Sequence, residues 1–160
     1  MMKKKCYYPV FILMFTVLGL QQVSCANAPQ ELNPSQSKPV KQVCYKDHCF
    51  IADIADNPMT QQKGLMGRQS LSETDGMLFI FSQMGPRTFW MRGMLISIDI
   101  IWMTDKGAVI DISAELPPCT KKTIDCPTYS PEGPSQYVLE IQAGLARKLG
   151  IKKGNILEIR

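Results

Sequence analysis

The stretch Phe89-Trp90-Met91-Arg92-Gly93-Met94, followed closely by Ile98-Asp99-Ile100-Ile101-Trp102, decides how the chain reads. It holds both tryptophans, an arginine and one aspartate set among isoleucines. Its aromatic and β-branched content predicts two adjacent core strands with a bend between them. A carboxylate in such a strand must be paired, hydrogen-bonded or protonated, because burying it alone is costly. Asp99 is therefore expected to meet Arg68, Arg87 or Arg92. The pair would either fix a helix against the sheet or form a polar cluster at a pocket mouth, with Arg68 or Arg92 holding an anion in fork geometry. Glu140, within Val138-Leu139-Glu140-Ile141, is a similar case.

Outward from that centre, Asp105-Lys106-Gly107 has hairpin-turn chemistry, and residues 108–113 should return antiparallel. On the other side, Gly76-Met77-Leu78-Phe79-Ile80-Phe81 is apolar enough for a strand buried on both faces. Residues 42–45 and 49–55 read as a hairpin around Lys46-Asp47-His48. Asn57-Pro58 opens a helix with asparagine as cap and proline at the first position. It is predicted to run to about Met66 and stop at Gly67, with Gly64 inside at about 1 kcal/mol against alanine. Close approach of another backbone would explain that glycine. Residues 116–135 read as a long loop with five prolines and two cysteines. A strand at 136–141, a short helix at 143–149 and a closing strand at 155–159 complete the pattern. The fold class is α+β, mainly antiparallel, with a curled or barrel-like sheet and two short helices.

The chain has 160 residues, enough for one domain, with 45% hydrophobic and 20% charged residues. It opens with Lys3-Lys4-Lys5 and a short apolar run, Val10 to Leu20, then small residues. That is the pattern of a secretory signal peptide over residues 1–26, since a membrane-spanning helix needs about 20 apolar residues. Ser24-Cys25-Ala26 fits a cut before Asn27, and Val23-Ser24-Cys25 also looks like a lipoprotein signal in which Cys25 carries the lipid. Membrane contact is expected only through that segment or that lipid, in the periplasm or cell envelope. Residues 27–41 are rich in proline, serine and glutamine and read as a flexible tether, leaving 42–160 as one globular domain. Without the three leader lysines, 15 of the 18 basic residues stand against 14 acidic ones. That balance gives no basic stripe and no expected nucleic-acid partner.

Six cysteines are encoded, and Cys44, Cys49, Cys119 and Cys126 remain in the folded domain. An even number in an exported domain argues for disulfides, and local pairing gives Cys44–Cys49 and Cys119–Cys126. Cys44, His48 and Cys49 lack a usual zinc spacing and a fourth ligand, so no metal is assigned. No other cofactor signature is present either.

Several segments in fixed order carry a resemblance: Gly64-Leu65-Met66-Gly67-Arg68, Gly76-Met77-Leu78-Phe79, Phe89-Trp90-Met91, Ile98-Asp99-Ile100-Ile101, Tyr137-Val138-Leu139-Glu140 and Gly150-Ile151-Lys152-Lys153-Gly154. Over roughly Val43 to Ile159 the chain resembles the small uncharacterised bacterial and archaeal proteins catalogued as domain of unknown function 192. The resemblance implies a compact, mostly β fold that often follows a signal peptide, and no established activity.

Three functions are compatible with these residues. The first is non-enzymatic binding of a small molecule or an envelope protein through a pocket near Arg68, Trp90, Arg92, Asp99 and Glu140. The second is an envelope enzyme using Asp99 and Glu140, which requires both carboxylates in one cleft. The third is a Cu(I) site built from methionine thioethers beside Trp90. The methionine spacings follow strands, which favours gap-filling core instead. Likewise, a tryptophan at position 90 is more often core than a ligand platform.

Overall fold

The computed structural model describes residues 39–119 and 125–160. The expected signal peptide, most of the tether and Cys25 lie outside them. The first hairpin is present as β1 (Val40–Tyr45) and β2 (His48–Ala55), joined through a turn with Lys46 at positive φ. Helix α1 (Pro58–Lys63) follows, opened by a reciprocal capping box between Asn57 and Thr60. It ends at Gly64, a turn earlier than expected, because Gly64 turns out of the helix at φ +48°.

Strand β3 (Asp75–Gly85) runs parallel to β2 and antiparallel to β8 (Ser135–Gln142). Strands β5 (Ile98–Met103) and β6 (Val109–Leu116) form the predicted hairpin, and β5 also pairs with β8. With β9 (Glu158–Ile159), the main sheet runs β6-β5-β8-β3-β2-β1-β9. β2–β3 is its parallel pair. The sheet curls until its far edges meet: the amide of Leu157 donates to Gly107 O at 2.9 Å and that of Val109 to Asn155 O at 2.8 Å. The fold is thus α+β, with mostly antiparallel strands, a half-barrel sheet and two short helices.

One expectation about the central stretch is corrected. Strand β4 (Phe89–Trp90) does not lie beside β5. It leaves the main sheet and pairs with β7 (Thr128–Tyr129), which forms inside the segment read as loop. Two residues between prolines are too few to show a strand period. Phe89 still joins this ribbon to the sheet, edge-to-face with Phe79 at 4.7 Å and with Trp102 at 5.1 Å.

The curl separates two apolar clusters. One face of the sheet carries Val43, Phe50, Leu78, Ile101, Leu139 and Ile141, packed with α2 (Leu145–Leu149). The other carries Phe79, Ile98, Ile100, Trp102 and Val138, covered by Leu65, Met91 and Met94. Both predicted disulfides are formed, Cys44–Cys49 across the first hairpin and Cys119–Cys126 beside the β4–β7 ribbon.

Candidate functional site

Side chains alternate along β5, so Asp99 shares its face with Ile101 and Met103, toward α2. It is 0% exposed, and among the described residues no arginine hydrogen-bonds to it. Its Oδ1 accepts the amides of Glu115 at 2.7 Å and Gly144 at 2.9 Å, and its Oδ2 accepts that of Ala146 at 2.9 Å. Gly144 and Ala146 open α2, and Glu115 sits at φ +53° where β6 bulges opposite Asp99. The expected ion pair is therefore replaced by backbone donors, which satisfy a buried carboxylate equally well. Arg68 pairs with Asp53 on β2 instead.

Glu140 lies on β8 opposite Ile100 of β5 and Met77 of β3, on the other face of the sheet. There, a cavity of about 230 Å³ opens between α1, the turn that follows it and β4. Gln61, Gln62 and Lys63 form one side, and Gly64, Leu65 and Met66 the next. Phe79, Phe81, Thr88, Phe89, Trp90 and Met94 line the rest, with Glu140 the only acidic lining residue among those described. Glu140 is 5% exposed, and among the described residues its Oε2 meets no hydrogen-bond donor. Burial, with no compensating charge, raises its pKa to about 8. At neutral pH the group therefore keeps its proton and can donate one hydrogen bond.

Two glycines keep this cavity open and braced. Gly64 is required first by its φ of +48°, and a Cβ there would also stand 3.3 Å from Phe79 Cζ, so backbone conformation and side-chain clearance rather than another backbone explain the glycine. At Gly93, φ +70°, the Met66 sulfur would lie 3.0 Å from a Cβ, and Gly93 O accepts the Gly67 amide at 2.9 Å. Trp90 is 41% exposed rather than core, and the Arg92 guanidinium lies 4.9 Å from its ring centroid. The guanidinium of Arg87 stands 4.0 Å from the Phe81 centroid.

The structure therefore brings Trp90 and Glu140 to one cavity, with Arg92 on the tryptophan, and leaves Arg68 and Asp99 elsewhere. The three phenylalanines of the lining read in sequence only as core, and Gly64 read only as a close approach of another backbone, so no local signal marked the cavity. Among the described residues, no three His, Cys, Asp or Glu side chains are grouped to hold a metal ion. Met66 and Met94 line the cavity, whereas Met77, Met91 and Met103 are core.

The family model for domain of unknown function 192 (DUF192), described as Uncharacterized ACR, matches residues 40–159. The chain belongs to the DUF192 family. The match spans every element that lines the cavity. Among solved structures, the DUF192 chain is similar to a protein of unknown function from Novosphingobium aromaticivorans DSM 12444. The two are 32% identical, with 88% of this chain and 99% of that chain covered and a TM-score of 0.68. It is also similar to a protein from Sinorhizobium meliloti 1021 described as a candidate transcription regulator. That identity is 26%, covering 77% of this chain and 95% of that chain, with a TM-score of 0.68. No curated protein matches the chain.

Proposed function

We propose that this DUF192 domain is exported and binds a small, largely apolar molecule in the Glu140 cavity without acting on it chemically. One observation carries the reading: a buried carboxyl whose Oε2 lacks a donor faces an aromatic cavity. An unmet buried polar group costs about 1–3 kcal/mol, and a ligand offering an acceptor to the protonated Glu140 recovers that cost. The rival enzyme needs two carboxylates at one substrate, and Asp99 faces α2 across the sheet. A regulator of transcription would need a cationic surface, and 15 basic against 14 acidic residues beyond the three leader lysines do not supply one.

Export is supported by the basic start and short apolar run, and by two disulfides, which suit an oxidising compartment. No helix of the described residues is long and apolar enough to cross a membrane. Native mass spectrometry of the full chain purified from the envelope tests both parts. The wild type is expected to carry a small molecule that Glu140→Leu and Trp90→Ala lose. The same spectra should begin at Asn27, or at a lipid-bearing Cys25 if the chain is anchored. A chain recovered only from the cytoplasmic fraction with its leader intact sinks export, and equal ligand occupancy in all three proteins sinks the binding site.

A further inference from the structure

One cation lines the Glu140 cavity, and two more stack on aromatic residues of its lining. Lys63, the last residue of α1, lines it, Arg92 stacks on Trp90 and Arg87 on Phe81. Among the described residues, none of the three holds a carboxylate. Arg68, Arg147, Lys148, Lys153 and Arg160 each do, whereas Lys41, Lys46, Lys106 and Lys152, away from this cavity, hold none among the described residues either. Position is what sets these three apart, because a cation without a carboxylate beside an apolar mouth concentrates positive potential there.

We propose that the ligand is an amphiphilic anion, its acid group at Lys63 and Arg92 and its apolar body among Phe79, Phe81, Phe89 and Trp90. This rests on the binding reading above and adds the charge of the ligand. Besides Glu140, Lys63 is the only titratable side chain in the lining among the described residues. Below about pH 8 the buried Glu140 is neutral and does not oppose an anion. A cationic ligand would instead face Lys63, with the Arg92 and Arg87 guanidiniums stacked on the lining rings, and would have to ionise Glu140. The aromatic walls suit a ring or hydrocarbon body, and a planar guanidinium suits a carboxylate or a phosphate oxygen pair.

Three matched probes separate the cases: 3-phenylpropanoate, 3-phenyl-1-propanol and 3-phenylpropylammonium, titrated calorimetrically into the full chain at pH 7. The carboxylate is expected to bind at least tenfold tighter than the alcohol, and the ammonium weakest. In the Lys63→Ala/Arg92→Ala double variant, both positions being exposed, the carboxylate should fall to the level of the alcohol. Equal binding of alcohol and carboxylate, a preference for the ammonium, or an advantage that survives the double variant overturns the charge assignment alone. Failure of all three probes overturns the cavity as a binding site and this inference with it.

Discussion

Asp99 and Glu140 lie on neighbouring strands, in register with Ile141 and Ile100 respectively, and point to opposite faces of one sheet. A step of one residue along a strand exchanges the faces, so the two acids meet different surroundings. Three amides converge on Asp99, while Glu140 receives none from the described residues and faces a cavity. One carboxylate therefore organises the fold, and the other keeps an oxygen without a donor among the described residues, at the edge of a cavity.

Replacing Asp99 by alanine strands the amides of Glu115, Gly144 and Ala146. At about 1–3 kcal/mol for each unmet buried donor, urea unfolding should show a loss of about 4 kcal/mol or more. Asp99→Asn keeps one acceptor oxygen and should fall between. A loss under about 1 kcal/mol would show that the three bonds contribute little.

Glu140 gives stability a pH dependence of predictable sign. Its pKa is about 8 in the fold against 4.5 for the free side chain. Between those values the folded state holds a proton that the unfolded chain releases, so stability falls as pH rises. The slope is about 1.4 kcal/mol per pH unit, and the fall ends above pH 8. Glu140→Gln lacks this term, so its thermal midpoint should gain on the wild type between about pH 5 and 8. Parallel profiles for the two proteins would refute the assignment.

The two tryptophans should behave oppositely. Trp102 is 0% exposed, so Trp102→Ala is expected to lose about 3–5 kcal/mol. Trp90 is 41% exposed at the cavity, and Trp90→Ala should change stability by about 1 kcal/mol or less while weakening 3-phenylpropanoate severalfold. Calorimetry and chemical denaturation together read both effects, and a Trp90 variant as unstable as the Trp102 one would return Trp90 to the core.

Cys119–Cys126 acts on the cavity wall. The Cys119 amide donates to Met91 O at 3.0 Å, and β7 pairs Trp90 with Thr128. The double serine variant is expected to lose about 2–3 kcal/mol on the loop-entropy model, and hydrogen exchange along β4 should quicken. The matching Cys44–Cys49 variant opens a hairpin held by β1–β2 pairing and should leave exchange in β4 unchanged. Equal protection of β4 in both variants would detach the clasp from the wall.

Much of the fold was legible because local chemistry carried it. Asn57-Pro58 marked the start of a helix, Asp105-Lys106-Gly107 the β5–β6 turn, and the cysteine spacing both disulfides. The β4–β7 ribbon was not legible, since its two short strands pair across the chain from proline-rich sequence with no period to read. The partner of Asp99 was missed for a related reason. Backbone amides belong to every residue, and no side-chain pattern announces where three of them will converge.

By itself, then, the sequence determined the fold class, the hairpins and helix caps, the cysteine pairs and the presence of two acids in apolar strands. These follow from neighbours close along the chain, whose spacing sets which face they share. Only the tertiary structure decided that Asp99 caps α2, that Trp90 is left at a cavity and that Glu140 keeps its proton there. Those outcomes depend on which distant segments cover each face, and donors and solvent at a buried carboxyl come from segments far apart in sequence.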